Sequence, residues 1–323
     1  MDISREKENV YKSKEEKYIV AAFYKFVPLK NLRELKSCLY DLCKNLDIFG
    51  TILLAPEGIN GTIAGTQTSI KNIFNWLRKQ STFCDLEVKY SEDISIPFHR
   101  LKVRLKKEIV TMGKRGVNPN AMVGTYVQPK DWNSLIKNEN TVIIDTRNHY
   151  EVEIGTFDNA LNPKTNSFRE FPAWVTNTLE KMPNINKKSR IAMFCTGGIR
   201  CEKATSFLKE QGYQNVFHLE GGILKYCEEL TGKENLWKGE CFVFDNRVSL
   251  KKNLEPGEYS MCHACRMPLA NTDLASEKYS PGLHCPKCYG THSKKQAKRF
   301  RDRQKQMELS DLRGEKHLGG RVK

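Results

Sequence analysis

The nine residues at 18–26, YIVAAFYKF, form an apolar, aromatic and β-branched run that predicts a strand. Apolar positions recur at helical spacing through 29–46. Strand-like runs at 48–54 and 59–64 flank a turn marked by Pro56 and Gly58. A helix around 70–78 and a strand at 86–90 close the series. The order is βαββαβ, which fits a ferredoxin-like split βαβ unit.

A further strand is expected at 101–110, where Lys102, Arg104 and Lys106 alternate with Val103 and Leu105. Period-two alternation would place the charges on one face and the apolar side chains inward. Beyond Gly124 the pattern changes. Residues 141–144 and 190–194 are continuous apolar runs, as buried parallel strands tend to be, with helical stretches between and after them. That alternation predicts a compact α/β domain. The expected organisation is a polar leader (1–17), the ferredoxin-like domain (18–92), a basic connector (93–123), the α/β domain (124–232), a cysteine-rich region (233–291) and a basic tail (292–323).

The 323 residues suffice for two or three modules with separate cores. No run approaches the roughly 18 apolar residues of a membrane span, and the N-terminus lacks a signal-peptide stretch, so a cytoplasmic protein without membrane contact is expected. Eleven cysteines then suggest catalysis, metal binding or packing in a reducing compartment. A formal charge of +15 points to a polyanionic partner or to plain solubility. Its distribution favours the partner, because residues 292–323 carry 11 Lys/Arg against 4 Asp/Glu. Lys102, Arg104, Lys106 and Lys107 are the candidate RNA-facing residues of a second basic stretch, which continues to Lys114 and Arg115.

The segment IAMFCTGGIRCEKA at 191–204 carries the chemistry. A buried strand ends at Phe194, Cys195 follows, and Thr196, Gly197, Gly198 and Ile199 lead to Arg200. Two glycines let consecutive amides turn toward whatever sits on the Cys195 sulfur. A helix N-terminus and the Arg200 charge add to that field. Such settings lower a cysteine from about 8.5 to ~3.5–7.5, so a thiolate or persulfide anion is expected at neutral pH.

Cys195-Thr-Gly-Gly-Ile-Arg200 resembles the six-residue active-site loop of rhodaneses. Asp145, Arg147, Glu151, Gly155 and Ala160 resemble the signature that precedes it. Rhodanese-like phosphatases carry a loop one residue longer, so this one suits sulfur better than phosphate. Four motifs extend the resemblance over residues 18–289: LAPEGINGTIAG at 54–65, EIVTMG at 108–113, FCTGGIRCEK at 194–203 and GECFVFD at 239–245. On these the chain resembles the bacterial tRNA uridine hydroxylase family. The resemblance implies oxygen-dependent conversion of a wobble uridine to 5-hydroxyuridine, with tRNA as partner, molecular oxygen as co-substrate and a persulfide-bearing cysteine at Cys195. A sulfur donor is implied but not identified, and no organic cofactor is evident. The sulfur can enter by adding to uridine C6 or by reacting with oxygen, and the sequence does not choose.

Other residues admit two readings. Cys201 is either a resolving thiol for Cys195 or a packed helix residue. Asp145 and Arg147 are expected to brace the loop. Cys262-x-x-Cys265 and Cys285-x-x-Cys288 have the spacing of one structural zinc site formed by two knuckles, against two redox-sensitive pairs. Glu57 and Asn60 are candidates for polar contact with an anticodon stem. Cys38, Cys43, Cys84, Cys227 and Cys241 read as packing residues. Two other functions compete: a sulfurtransferase passing persulfide sulfur to an acceptor, and an inactive RNA-binding module. Retention of the cysteine, both glycines and the arginine counts against the second.

Overall fold

The computed structural model describes residues 17–314. The expected polar leader, apart from Lys17, and the last nine residues of the basic tail lie outside the described residues.

The first domain is built from β1 (Tyr18–Phe26), α1 (Leu32–Asn45), β2 (Phe49–Ala55), β3 (Gly58–Gly65), α2 (Gln67–Arg78) and β4 (Val88–Asp93). The strands lie in the order β4-β1-β3-β2, the arrangement of a split βαβ unit. The apolar stripes of both helices pack onto the sheet, burying Leu39, Ile52, Ile63, Phe74 and Leu77 in one core. Removing this apolar surface from water is the main stabilising term, at about 25 cal/mol per Å².

The connector adds a strand that the βαββαβ pattern did not include in this sheet. β5 (Leu101–Leu105) pairs in parallel with β2, in the register Gly50↔Leu101 to Leu54↔Leu105. It ends five residues earlier than the pattern predicts. Beyond it, the Glu108 carboxylate accepts the amides of Met112 and Gly113, folding the chain into a clasp instead of a ladder. Val103 packs inward as expected, but Leu105 is 38% exposed, because β5 forms the sheet edge and stops there.

The second domain holds β6 (Thr125–Val127), α3 (Pro129–Ile136), β7 (Thr141–Asp145), α4 (His149–Val152), β8 (Gly155–Thr156), α5 (Phe171–Asn177), β9 (Arg190–Phe194), α6 (Ile199–Glu210), β10 (Asn215–Leu219) and α7 (Gly222–Glu229). Its parallel sheet runs β6-β10-β9-β7. Both faces are covered. Ile144, Ile191 and Met193 belong to one core, Ile143, Ala192 and Phe194 to the other. Burial on both sides explains why these strands read as unbroken apolar runs.

Short pairings follow: β11 (Lys238–Gly239) with β8, β12 (Cys241–Phe242) with β13 (Ser249–Leu250), and β14 (Ser260–Met261) with β15 (Pro268–Leu269). After α8 (Asn271–Leu274) the described part of the tail forms α9 (Lys294–Leu312). The Arg303 guanidinium donates to the carbonyls of His263 and Gly282, holding α9 against the cysteine-rich module.

Candidate active site

Cys195 sits at the end of β9, and the loop after it is fixed by two helix starts. Gly198 caps α6 with φ 101°, a backbone conformation that favours glycine. Its amide donates to Cys195 Sγ at 3.1 Å. Gly222, at the start of α7, approaches the loop so closely that a Cβ there would lie 2.5 Å from the Cys195 carbonyl. The amides of Ile223 and Leu224 donate to the carbonyls of Cys195 and Thr196. Thus α7 grips the loop's oxygens while α6 turns its amides toward the sulfur.

Gly197 plays a different part from the tight-turn role its sequence position predicts. Its φ is not positive, and a Cβ there would meet nothing within 4 Å. The missing side chain leaves open space where Gly197, like Cys195, lines the cavity between the domains. Thr196 ties the loop to its surroundings, donating to the Phe242 carbonyl and accepting from Arg200. Ile199 packs against Phe26, Ala55 and Ile109 of the first domain and connector.

Cys195 has no exposed surface, yet it lines a cavity of about 340 Å³ between the domains. β1 contributes Phe23 and Tyr24, β3 contributes Asn60 and Thr62, and β4 contributes Lys89 and Tyr90. The strip after β12 adds Phe244, Asp245 and Arg247. Burial opposes the thiolate. A hydrogen bond from the Cys201 thiol, the Arg200 charge and the amides of Cys201 and Gly198 outweigh it, bringing Cys195 down to about 5. Cys201 itself is buried, and burial together with its bond to Cys195 pushes its thiol well up. Its sulfur also lies 3.5 Å from Thr146 Oγ1.

Arg200 is not a free cation. Its guanidinium forms two hydrogen bonds to the Glu151 carboxylate, at 2.6 and 2.7 Å, and Glu151 is fully buried. Asp145 and Arg147 form a second buried ion pair at 2.6 Å. Arg147 also donates to the carbonyls of Glu151 and Gly155. Between the pair, Thr146 donates its amide and hydroxyl to the Phe194 carbonyl, anchoring the strand end that carries Cys195.

A third polar centre joins the domains. The Lys203 ammonium, 2% exposed, contacts Glu57 at 2.9 Å and Glu108 at 2.5 Å and donates to the Val110 carbonyl. Glu57 accepts the Ile109 amide, and Asn60 donates to the Ile109 carbonyl. Glu57 and Asn60 thus both bond Ile109 of the connector, Glu57 also reaches Lys203 of the second domain, and Asn60 lines the cavity.

Several site residues had no sequence signal of their own. Tyr24, Lys89 and Glu202 surround the cradle, and Glu202 looked like an ordinary first-turn helix residue. Phe244 is 63% exposed at the cavity, with the Arg200 guanidinium 5.9 Å from its ring centre. Arg247 pairs with Asp245 at 2.6 Å and donates to Ser91 of β4, fastening the C-terminal strip to the first domain.

Away from the cavity, Lys102 is half-buried on β5, while Arg104, Lys106 and Lys107 are exposed. Burial first, then Arg100, Arg104 and Arg266, lower the Lys102 ammonium, so cations of the first domain and the cysteine module share one field. The four sulfurs of Cys262, Cys265, Cys285 and Cys288 lie within 4.8 Å of one another. Separations of 3.7–4.0 Å match the ~3.8 Å spacing of a tetrahedral centre with ~2.3 Å metal–sulfur bonds. The cluster can hold a metal ion. Of the remaining cysteines, Cys43, Cys227 and Cys241 are buried, but Cys38 and Cys84 are exposed and do not pack. Among the described residues, no helix is long and apolar enough to cross a membrane.

The parallel sheet, the Cys-to-Arg loop and its buried ion pairs define a rhodanese-like enzyme domain joined to an acylphosphatase-like one. Residues 18–109 match the UPF0176 acylphosphatase-like domain, and residues 128–229 match the rhodanese-like domain. A protein of Teredinibacter turnerae named tRNA uridine(34) hydroxylase is 53% identical over 305 residues, covering 94% of each chain. One of the same name from Agrobacterium fabrum is 52% identical over 302 residues, covering 94% of this chain and 95% of its own. A rhodanese-related protein from Thermoplasma volcanium is similar over 33% of this chain and 95% of its own, at 22% identity and a TM-score of 0.27. The chain belongs to the tRNA uridine(34) hydroxylase family.

Proposed function

We propose that the protein hydroxylates uridine 34 of tRNA to 5-hydroxyuridine, with Cys195, as thiolate or persulfide, meeting the base. The observation that carries this is the Cys195 sulfur, held by the Gly198 amide at 3.1 Å on the wall of a 340 Å³ cavity between two domains. That volume falls within the roughly 300–1,000 Å³ of small-ligand sites. A wobble base is single-stranded, so it can leave the anticodon stack and enter such a cavity at modest cost.

Each part has a stated role. The amides of Gly198 and Cys201, with Arg200, stabilise the sulfur anion. Glu151 orients Arg200, Asp145 and Arg147 hold the strand end, and Gly197 leaves room for a second sulfur or the base. Oxygen is the co-substrate that supplies the new hydroxyl oxygen, and a separate donor supplies sulfur. Lys102, Arg104, Lys106 and Lys107 take the tRNA backbone. Cys262, Cys265, Cys285 and Cys288 hold zinc in a structural site, since four thiolates leave no open position for chemistry. A cytoplasmic location follows from the tRNA substrate.

The test is a nucleoside digest of tRNA from cells that carry only the Cys195→Ser protein. Loss of 5-hydroxyuridine and its derivatives, restored by the wild-type chain, is the expected result. Loss of thiolated bases instead would replace this function by sulfur transfer. An unchanged digest would leave only RNA binding.

A further inference from the structure

Beside the Cys195 cavity lies a second, more polar one of about 400 Å³, lined by residues that include Glu87, Tyr126, Glu202 and Glu220. Tyr24 and Lys89 line both cavities. Tyr24 forms the wall between them. Its hydroxyl donates to Glu202 Oε1 at 2.7 Å, and a Cβ on Gly198 would lie 2.7 Å from the Tyr24 hydroxyl oxygen, so the phenol rests against the cysteine loop. The Lys89 ammonium sits 5.3 Å from the Tyr24 ring centre.

Glu202 is an unusual residue for this place. It is only 9% exposed and, among the described residues, faces no Lys or Arg at ion-pair distance, whereas Lys203 beside it has two carboxylates. A carboxyl buried for packing alone costs several kcal/mol relative to an apolar residue. Burial pushes Glu202 up to about 7, against hydrogen bonds from Tyr24 and Tyr126, with Cys195 raising it and Lys89 lowering it. Around it stand Tyr24 from β1, Lys89 from β4, Tyr126 from β6 and Cys195 from the loop. Glu87 and Glu220 face the same cavity, and Lys25 and Asp85 pair at its edge. His218 packs on Tyr126 at 4.2 Å between ring centres, and burial holds it down at about 4, so it is neutral here.

We propose that Tyr24 and Glu202 form a proton path that links the Cys195 cavity to the second cavity. The Tyr24 oxygen takes a proton released in the first cavity as its own proton passes to Glu202 Oε1. Glu202 then gives that proton to water in the second cavity. One O–H bond forms at Tyr24 as another breaks, the phenol stays neutral, and no electron moves. The path rests on the proposed hydroxylation, in which the hydrogen on uridine C5 leaves as a proton. Tyr24 would act at the reacting base, and Glu202 through Tyr24 as a positioning and relay residue.

The experiment is single-turnover conversion of tRNA by the full chain, its Cys195 first loaded with sulfane sulfur from polysulfide and the excess removed, then supplied with oxygen between pH 5.5 and 8.5. The wild-type rate is expected to rise through an inflection near 7, as Glu202 becomes able to accept. Glu202→Gln and Tyr24→Phe should lose the inflection and fall about a hundredfold, the scale of general acid–base catalysis. Glu202→Asp should restore part of both. Alkylation of Cys195 by iodoacetamide in each variant, within about threefold of wild type, shows that the cysteine loop has kept its fold. A variant whose Cys195 alkylation collapses is replaced in the comparison by Tyr126→Phe, which should raise the inflection by removing a hydrogen bond to the carboxylate. Normal product with an unmoved inflection in Glu202→Gln overturns the path alone. No 5-hydroxyuridine from the wild-type chain at any pH overturns the hydroxylase function and the path with it.

Discussion

Arg200 and Glu151 form a two-pronged ion pair, with both guanidinium–carboxylate bonds at 2.6–2.7 Å and Glu151 fully buried. The arginine beside the sulfur is thus shared between two anions. Its field at Cys195 is weaker than an unpaired cation would give, and its position is fixed more firmly.

Replacing Glu151 by Gln should therefore have two opposite effects. The unshared Arg200 charge will favour the Cys195 thiolate further, moving the iodoacetamide reactivity profile to lower pH. The chain will lose about 3–5 kcal/mol of stability in urea unfolding, because one partner of a buried pair is removed. An unmoved reactivity profile would show that Arg200 does not set the sulfur's ionisation.

Cys201 supplies a hydrogen bond to the Cys195 sulfur that an alanine cannot. In Cys201→Ala the alkylation inflection, near 5 in the wild type, should rise by about one pH unit, since a bond to a charged group contributes about 1.5 kcal/mol. The sign follows from the thiolate being the reactive form, which fills as pH rises. The folded thiol lies below its unfolded value, so its contribution to stability is present above about pH 8.5 and fades as pH falls toward 5. Cys201→Ser keeps a donor and should stay close to wild type. Equal shifts in both variants would remove the hydrogen-bond explanation.

Lys203 is the buried cation to which two carboxylates from the first domain and connector turn. Lys203→Met should destabilise the chain by about 3 kcal/mol or more, leaving Glu57 and Glu108 without their charge partner. Urea unfolding should also become broader or biphasic as the domains uncouple. A single transition at the wild-type midpoint would deny the ion cluster a role in joining them.

Metal removal should act locally. The wild-type chain is expected to hold one zinc by atomic emission, and Cys285→Ser should hold none. Limited proteolysis should then open the cysteine module and α9, which docks on it through Arg303. The alkylation profile of Cys195 should not change, because the sulfur cluster is absent from its cavity wall. A zinc-free wild-type protein with an intact module would rule out the metal.

Much of this molecule was legible before any coordinate. Alternating and continuous apolar runs follow from local geometry, so β1, β3 and β9 were located within a residue or so, and α2 within three. The Cys195–Arg200 loop was also readable, because a cysteine, two glycines and an arginine in that order constrain a few adjacent backbone angles. The paired Cys-x-x-Cys turns were visible for the same reason. Their spacing also pointed to one shared site, against two separate redox pairs, and only the fold chose between them by bringing the four sulfurs together across nineteen intervening residues.

What the chain alone determined was therefore everything carried by neighbours in sequence: the strands, the helices, the sulfur cradle and the basic stretches. Only the tertiary structure decided that β5 completes the first sheet, that Glu57 meets Lys203 across the domains, and that Arg200 is shared with Glu151. It also turned Glu202 inward toward Tyr24, 178 residues away. The physical reason is that burial and charge pairing are properties of a place in space, and one sequence position carries no record of what will pack against it.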